Sequence, residues 1–264
     1  MLVAIGFGVG AFGTLIGAGG GFILTPILLL LYPHDSPRTI TAISLAAVFC
    51  NAASGTAAYA RQRRIDYRSG IAFALATLPG AVGGALVVGS VSRHVFNGIM
   101  GAVLGVLAIW LVAGERWPLP LPQRHLETRE VVDRSGTQYA YLVPLRRGVL
   151  YSLGVGFLSS FLGIGGGVIH VPLLVRALGF PLHVATATSH FVLAVMAGTG
   201  TATHIGLGSF AHGHGVRRTL ALSAGVVAGA QLGAHVSLRL RGAVIQWLLA
   251  VALLALAARL LLAA

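Results

Sequence analysis

Long apolar segments alternate with short polar intervals along this chain. Eight apolar segments can be delimited: residues 2–31, about 40–60, 69–90 and 95–113, then 148–178, 184–207, 216–238 and 242–263. A helix of roughly 20 residues crosses the hydrocarbon core of a bilayer, and the eight segments are of that length or longer. We therefore predict an all-α polytopic membrane protein with about eight transmembrane helices.

The last four segments repeat the first four. Three motif pairs recur in the same order: GAGGGFILTP at 17–26 with GIGGGVIHVP at 163–172, AIS at 42–44 with ATS at 187–189, and GAVGGA at 80–85 with GAQLGA at 229–234. Internal duplication of this kind is common in transporters. We predict two homologous four-helix repeats, residues 1–113 and 148–264, joined by a linker at 114–147.

Composition supports a membrane location and changes how the charge is interpreted. Charged residues make up 9% of the chain and the mean hydropathy is +0.87, whereas soluble domains carry about 25% charged residues. The net charge is +12, and all 18 basic residues are arginine. In a lipid-embedded chain we interpret this charge as a topology signal, with the bilayer and not nucleic acid as the partner. The apolar start after Met1 lacks a basic n-region, which favours a retained helix over a cleaved signal.

Clustered glycines interrupt the first segment of each repeat. They are Gly17, Gly19, Gly20 and Gly21 in the first copy and Gly163, Gly165, Gly166 and Gly167 in the second. An unbroken 30-residue helix would be about 45 Å long, which exceeds a hydrocarbon core of about 30 Å. We therefore expect the first helix of each repeat to tilt, break or fold back at its GxGGG motif.

The distribution of arginine predicts an orientation. If all eight segments cross and the N-terminus is cytoplasmic, the inside loops hold Arg61, Arg63, Arg64, Arg68, Arg116, Arg124, Arg129, Arg134, Arg146, Arg147, Arg217, Arg218 and Arg259. The outside loops then hold Arg38, Arg93, Arg176, Arg239 and Arg241. This excess predicts cytoplasmic N- and C-termini in the cell membrane, with both halves pointing the same way. The argument fails if residues 2–31 and 148–178 are re-entrant hairpins.

The linker has the pattern of a small β-hairpin. Alternating residues in TREVV and TQYAYLV flank the turn residues DRSG. We predict a cytoplasmic linker that contains a hairpin, and the pattern leaves a regulatory or partner-binding role open.

A binding site is expected where backbone inside the membrane is irregular. After each break a half-helix should begin near Gly21 and Gly167, and a helix start presents free N–H groups and the positive end of the helix dipole. Two such starts near the midplane would bind an anion, and glycine lets a ligand approach the backbone. The alternative is that these glycines only allow close helix packing, as we expect for GAVGG and GAQLG.

The polar residues within the segments favour an anion over a cation. No Asp or Glu lies inside a predicted span, so a sodium or proton site built on a buried carboxylate is not expected. Candidate substrate-binding side chains are Ser44, Asn51, His170, Ser189 and His190. They can donate hydrogen bonds to oxyanions, and the histidines could carry a proton. Alternatively, the hydroxyls bond their own helix backbone and the histidines are simply satisfied in the interior.

Two further motifs carry little weight. GVGAFG at 8–13 matches GxGxxG, but it lies inside an apolar segment with no preceding strand. HGHG at 212–215 lacks the Cys or carboxylate needed to complete a metal site. We expect no cofactor, no metal and no catalytic residue.

The paired GAGGGFILTP and GIGGGVIHVP motifs, with the AIS/ATS and GAVGGA/GAQLGA pairs, resemble the TauE/SafE family of sulfite exporters and anion permeases. The resemblance covers nearly the whole chain except 114–147. It implies a transporter of small sulfur-containing or carboxylate anions, such as sulfite or an organosulfonate, usually moved outward. In the alignment of the halves, His170 matches Leu24 and His190 matches Leu45, which suggests that the second half dominates substrate contact or proton coupling.

Together these observations predict a secondary transporter or facilitator that moves a small anion across the cell membrane, with export favoured. Alternating access would occur at a midplane site between the repeats. Two alternatives stay open: an anion channel, and an intramembrane hydrolase using Ser54 or Ser189 with a histidine. Proton coupling and a homo-oligomer are both compatible with the sequence.

Overall fold

The computed structural model describes residues 1–113, 126–210, 214–237 and 242–262. Helices dominate this part of the chain. In order, the elements are α1 (Leu2–Leu15), α2 (Gly21–Leu31), α3 (Pro37–Arg61), α4 (Tyr67–Val87), α5 (Arg93–Ala113), β1 (Glu127–Val132), β2 (Gln138–Val143), α6 (Leu145–Leu162), α7 (Gly167–Leu178), α8 (Leu182–Gly206), α9 (Gly215–Val236) and α10 (Gly242–Leu262).

The first predicted segment of each repeat is divided in two at its glycines. Gly17, Gly19 and Gly20 between α1 and α2 have φ of +79°, +72° and +77°, and Gly163 and Gly165 between α6 and α7 have φ of +67° and +68°. Residues with a Cβ rarely adopt this left-handed region, whereas glycine does so readily. The prediction of a broken first helix in each repeat agrees with this geometry.

The α1–α2 pair enters and leaves the protein at the same face. Helix α1 runs parallel to α9. Gly6 lies against the backbone of Leu222, and Gly10, one turn later, lies against that of Val226, also one turn later. After the break, α2 returns, and Asp35 just beyond its end pairs with Arg218 at the start of α9. The pair is therefore a re-entrant helical hairpin.

The α6–α7 pair is the second re-entrant hairpin. Helix α6 runs parallel to α4, because Gly80 lies against the backbone of Leu153 and Gly84 against that of Phe157. Helix α7 then returns to the end at which α6 began. This pair enters from the side where α4 begins, whereas α1–α2 enters from the side where α9 begins.

The two repeats are inverted relative to each other. Helices α3 and α8 occupy equivalent places in the repeats and pack antiparallel: Gly55 lies against His190, Phe49 against Gly198, and Leu45 against Gly200. Equivalent helices that run in opposite directions mean a pseudo-two-fold axis in the membrane plane. The expectation that both halves point the same way is therefore wrong, because the first segment of each repeat folds back.

Fewer segments cross the membrane than the hydropathy pattern predicted. Within the described ranges, five helices are long and apolar enough to span it: α3, α4, α5, α8 and α9. Helix α10, which is 21 residues long, packs on α5 and is its counterpart in the second repeat. The structure is thus a polytopic helical membrane fold with five helices per repeat. Instead of four unbroken helices, each half has one re-entrant pair followed by three helices.

Each re-entrant pair packs mainly against the other repeat. Helix α1 contacts α9, and α6 contacts α4. Small residues permit this approach: a Cβ on Gly229 would lie 2.2 Å from the carbonyl oxygen of Phe7, and one on Gly80 2.3 Å from that of Leu153. The packing interpretation of GAVGG and GAQLG holds, and each re-entrant pair packs into the other repeat.

The two strands form an antiparallel hairpin where residue alternation predicted one, with Val132 paired to Gln138 next to the turn. The hairpin lies at the end of the bundle where α3 ends and α4 begins, which we term the hairpin face. Tyr141 donates to Asp66 at 3.0 Å, and Asp133 pairs with Arg64 at 3.3 Å. The other end is the opposite face, from which α1 begins. The expectation that the linker and the N-terminus share one side is therefore wrong.

Candidate functional site

The two glycine breaks meet in the interior between α3 and α8. A Cβ on Gly21 would lie 2.4 Å from the carbonyl oxygen of Ile164, and one on Gly167 would lie 2.4 Å from that of Gly17. Each half-helix therefore starts beside the loop of the other repeat. The inverted symmetry brings together the two breaks that lie 146 positions apart in the sequence.

Both half-helices begin with backbone amides that have no acceptor within their own helix. The amide of Ile23 bonds back to Gly20, and that of Ile169 to Gly166, each at 3.1 Å. The preceding amides in each first turn have no intrahelical acceptor by geometry. Two helix starts with positive dipole ends thus lie at membrane depth, which is the arrangement expected for an anion site.

The two predicted serines hold the glycine loops from across the symmetry axis. Ser44 on α3 donates to the carbonyl of Gly163 at 2.7 Å, and Thr25 on α2 donates to the same oxygen at 2.7 Å. Ser189 on α8 donates to the carbonyl of Gly17 at 3.5 Å. Each serine therefore bonds the first glycine of the opposite repeat, so these hydroxyls carry a structural role in this closed conformation.

Asn51 and His190 belong to one buried hydrogen-bonded chain around Thr14. The Thr14 hydroxyl donates to Asn51 Oδ1 at 2.9 Å, and His190 Nε2 lies 3.3 Å from the same hydroxyl oxygen. Because that hydroxyl already donates to Asn51, His190 Nε2 is assigned as the donor to it. Asn51 in turn donates to the carbonyl of Gly10 at 3.1 Å. This chain ties α1 to α3 and α8 next to the first break.

His170 lies apart from this group. Its Nε2 is 3.2 Å from Ser152 Oγ on α6, and its ring meets Phe73 edge-on at 5.8 Å. The side chain points between α4 and α6 rather than toward the opposing loop. The structure thus brings Ser44, Asn51, Ser189 and His190 to the breaks, but not the His170 ring.

Apolar side chains fill the space between the breaks. A Cβ built on Gly19 would lie 2.2 Å from the side chain of Leu193 and 3.5 Å from that of Val48. A Cβ built on Gly165 would lie 3.2 Å from Leu193 and 2.8 Å from Val48. Both side chains are buried. The expected site therefore has the helix starts and polar groups, but it is closed by Val48 and Leu193 in this conformation.

A cavity opens at each face of the bundle. The cavity at the hairpin face has a volume of about 500 Å³, and its lining includes Arg61, Arg64, Asp133, Arg134 and His235. The cavity at the opposite face, of about 360 Å³, is lined in part by Asp35, Arg38 and Ser209. In the part of the chain that the structure describes, no group of three His, Cys, Asp or Glu residues could hold a metal ion.

The hydroxyls of Thr14 and Thr25 were not among the predicted site residues. Their signal was present in the repeat alignment, since Thr14 matches Ser160 and both immediately precede a break. Thr25 lies within the GAGGGFILTP motif itself. The Thr25 hydroxyl bonds the loop of the opposite repeat, and the Thr14 hydroxyl bonds side chains of α3 and α8. The sequence does not reveal that either hydroxyl acts outside its own helix.

Comparisons with known proteins identify a family. The family model described as sulfite exporter TauE/SafE matches residues 2–260. No solved structure shows significant similarity to this chain.

Several relatives carry transporter names. The chain is 31% identical over 251 residues to the probable membrane transporter protein YunE of Bacillus subtilis, covering 91% of this chain and 89% of the relative. It is 27% identical over 194 residues to a probable membrane transporter protein of Methanocaldococcus jannaschii, covering 72% of this chain and 66% of the relative. A third relative of the same description, from Xylella fastidiosa, is 28% identical over 177 residues. The names point to membrane transporters and not to enzymes.

Proposed function

The chain belongs to the sulfite exporter TauE/SafE family, and on that premise we propose that it is a secondary transporter or facilitator for a small anion in the cell membrane. The proposed substrates are sulfite, an organosulfonate, or a related sulfur or carboxylate anion. Export is the proposed direction.

The observation that carries this proposal is the meeting of two helix starts from inverted repeats. Gly21 and Gly167 each begin a half-helix beside the opposite loop, deep between α3 and α8. In transporters with inverted repeats, discontinuous helices place their positive ends at the substrate site, and rocking of one repeat against the other exposes it alternately. The absence of carboxylates from the described helices favours an anion at this place.

In the proposed mechanism the anion replaces the apolar contacts between the breaks. The first-turn amides at Gly21 and Gly167 bind its oxygens, and Ser44, Asn51, Ser189 and His190 orient it. Binding requires Val48 and Leu193 to move, since both contact the two loops. As each loop shifts, Ser44 and Ser189 would release the carbonyls of Gly163 and Gly17 and donate to the substrate instead.

We propose that the hairpin face is cytoplasmic. Among the described residues, the arginines of that face are Arg61, Arg63, Arg64, Arg68, Arg129, Arg134, Arg146, Arg147 and Arg176. Those of the opposite face are Arg38, Arg93, Arg217, Arg218 and Arg259. The positive-inside rule then places the hairpin inside and both termini outside, the reverse of the termini predicted from eight crossings.

Export is consistent with this orientation. The basic cavity at the hairpin face would collect anions from the cytoplasm. An inside-negative potential favours anion exit by about 2.3 kcal/mol per charge per 100 mV, so export needs no coupling ion. Import would require protons, for which the buried His190 is the proposed carrier at the breaks.

A flux screen in liposomes tests the proposal. Purified protein is reconstituted and assayed with sulfite, sulfate, thiosulfate, sulfoacetate and small carboxylates under imposed voltage and pH gradients. We expect saturable flux of at least one anion together with counterflow of labelled substrate. Flux that rises linearly with concentration, without counterflow, would identify an anion channel instead.

The proposed role of His190 has its own test. His190→Ala removes the ring that contacts Thr14 and packs edge-on to Tyr59 at 5.4 Å. We expect reduced flux or an altered pH dependence of flux. Unchanged uptake of every anion at all pH values would remove His190 from the site.

A further inference from the structure

A second polar group lies beside the break of the second repeat. Ser159 and Ser160, near the end of α6, are both fully buried at 0% exposure. Neither hydroxyl oxygen has a hydrogen-bond partner within the described part of the chain. Buried helical serines usually bond a carbonyl one turn earlier, as Ser152 does with Gly148 at 2.7 Å. Two adjacent unpaired hydroxyls in an apolar interior are energetically unfavourable unless a ligand or water pairs them.

The first repeat shows how the same place is satisfied when it has a structural role. Ser160 aligns with Thr14, which is paired with Asn51. Asn51 in turn aligns with Met196 of α8. A thioether cannot donate a hydrogen bond, so the second repeat lacks the amide that holds the hydroxyl in the first. The two pseudo-symmetric positions thus differ: the Thr14 hydroxyl is hydrogen-bonded within the protein, and the Ser160 hydroxyl is not.

The two hydroxyls flank one turn of α8 next to the start of α7. Ser159 Oγ lies 3.1 Å from a Cβ built on Gly166, and Met196 Sδ lies 3.2 Å from the same point. Ser160 Oγ lies 2.9 Å from a Cβ built on Gly200. Because both positions are glycine, no Cβ stands next to either hydroxyl, and Gly166 directly precedes the first amides of α7.

We propose that Ser159 and Ser160, together with the first-turn amides of α7, bind the oxygens of the transported anion. The inference rests on the proposed transport function and assigns the binding site chiefly to the second repeat. The ligand is an oxyanion with at least two oxygens on one centre, as in sulfite, a sulfonate or a carboxylate, because the unpaired hydroxyl of Ser159 lies beside a helix start and the unpaired hydroxyl of Ser160 follows it on the same turn of α6. Met196 covers the hydroxyls in this closed conformation. Its unbranched side chain can swing aside without moving the helix.

Polar groups on and after α8 lie between the site and the opposite face. His204 follows Gly200 by one helical turn, and its Nδ1 lies 3.1 Å from the hydroxyl of Ser209. Ser209 lines the cavity of that face, together with Arg38. The Nε2 of His204 is buried and has no partner among the described residues. Polar groups therefore continue from the α7 start to the opposite face, where the anion would leave.

Hydroxyl removal tests the site. We would reconstitute Ser159→Ala and Ser160→Ala in liposomes and measure initial rates against the concentration of the anion that wild type transports best. Loss of one hydrogen bond to a charged ligand should raise KM roughly 10- to 100-fold. The melting temperature of the purified variants should stay at or above that of wild type, because no protein partner is lost.

The control removes a hydroxyl that the fold does use. Thr77→Val on α4 deletes a buried hydroxyl that bonds the carbonyl of Ala74 at 2.6 Å. Its KM should stay at the wild-type value. Wild-type KM in both serine variants, or a fall in melting temperature beyond that of Thr77→Val, would overturn the site and leave the proposed function standing. Lack of saturable flux in wild type would contradict the proposed function itself.

Discussion

The hydroxyl of Ser44 donates to the carbonyl of Gly163 at 2.7 Å, across the interface between the two repeats. Gly163 is the first residue of its break and lies in the left-handed region with φ of +67°. A carbonyl at this point cannot accept a regular helical bond, so it needs a donor from elsewhere. The bond therefore couples the position of α3 in one repeat to the loop of the other.

Removing this donor should have a small effect alone and a large one in combination. Ser44→Ala leaves Thr25 to donate to the same carbonyl at 2.7 Å, so we expect a loss of about 1 kcal/mol in unfolding free energy. The double variant Thr25→Val/Ser44→Ala leaves the buried carbonyl without a donor, and we expect a loss of about 3 kcal/mol. Thermal unfolding of the detergent-purified proteins measures both.

Ser189→Ala is the matched comparison. Its bond to Gly17 is longer, at 3.5 Å, so its removal should cost less than that of Ser44. Strictly additive effects of the Thr25 and Ser44 substitutions would show that they do not share one acceptor, contrary to the structure.

Glycine at the start of α7 should not tolerate even a methyl group. A Cβ on Gly167 would lie 2.4 Å from the carbonyl oxygen of Gly17 and 2.6 Å from Cα of Ala18, both backbone atoms. We expect Gly167→Ala to lower the unfolding free energy by roughly 2 to 3 kcal/mol and to abolish flux, because the loops must separate.

Gly154→Ala is the control for this substitution. A Cβ at this position on α6 would meet nothing within 4 Å. Alanine should raise the unfolding free energy by up to about 1 kcal/mol there through helix propensity. Wild-type stability and flux in Gly167→Ala would mean that the two breaks are not in contact.

The sequence predicts where the helices break, but not that the chain turns back after each break. Three neighbouring glycines in a 30-residue apolar run predict an interruption, and the structure has one in each repeat. Whether the chain then continues or turns back depends on contacts with the other repeat. Gly80 and Gly229, which pack against the re-entrant helices, belong to other helices far from the breaks in the sequence. Arginine counts do not distinguish eight crossings from re-entrant pairs, since in both arrangements one face carries more arginines than the other.

Site residues could be predicted where helix position alone brings them inward. Ser44 and Ser189 lie at equivalent places on α3 and α8, and both bond the opposing loop. His170 follows its break by only three residues, but at about 100° per residue its ring turns toward Ser152. Unpaired groups such as Ser159 could not be identified, because whether a hydroxyl has a partner depends on the tertiary packing around it.

The β-hairpin should loosen as its aspartate is protonated. Burial by itself would raise the pKa of the Asp133 carboxyl. Hydrogen bonds from Ser135, from the amide of Thr137 and from Arg64 outweigh burial and lower the pKa. The stabilisation is therefore present above the ordinary aspartate pKa of about 3.9 and is lost as the pH falls through the lowered value.

Asp133→Asn should reproduce this loosening at neutral pH. We expect faster amide hydrogen exchange of residues 127–143 in the variant at pH 7, while the wild-type hairpin stays protected until below about pH 4. Glu130→Gln, at an exposed position of β1, is the control and should exchange as wild type does. Equal protection in the wild type and Asp133→Asn would show that the Arg64 pair does not hold the hairpin.

The inverted arrangement predicts which loops share a face. Thr128 on β1 is exposed at the hairpin face, whereas His214 before α9 and His34 after α2 are exposed at the opposite face. With eight crossings, Thr128 and His214 would instead lie on the same side and His34 on the other. Single cysteines at these three positions, in a chain with Cys50→Ala, therefore separate the two topologies.

With a membrane-impermeant thiol reagent on intact cells, we expect labelling of His214→Cys and His34→Cys, and labelling of Thr128→Cys only after the membrane is opened. Joint labelling of Thr128→Cys and His214→Cys would contradict the re-entrant hairpins. Labelling of Thr128→Cys alone would keep the hairpins and reverse the orientation that the arginines favour.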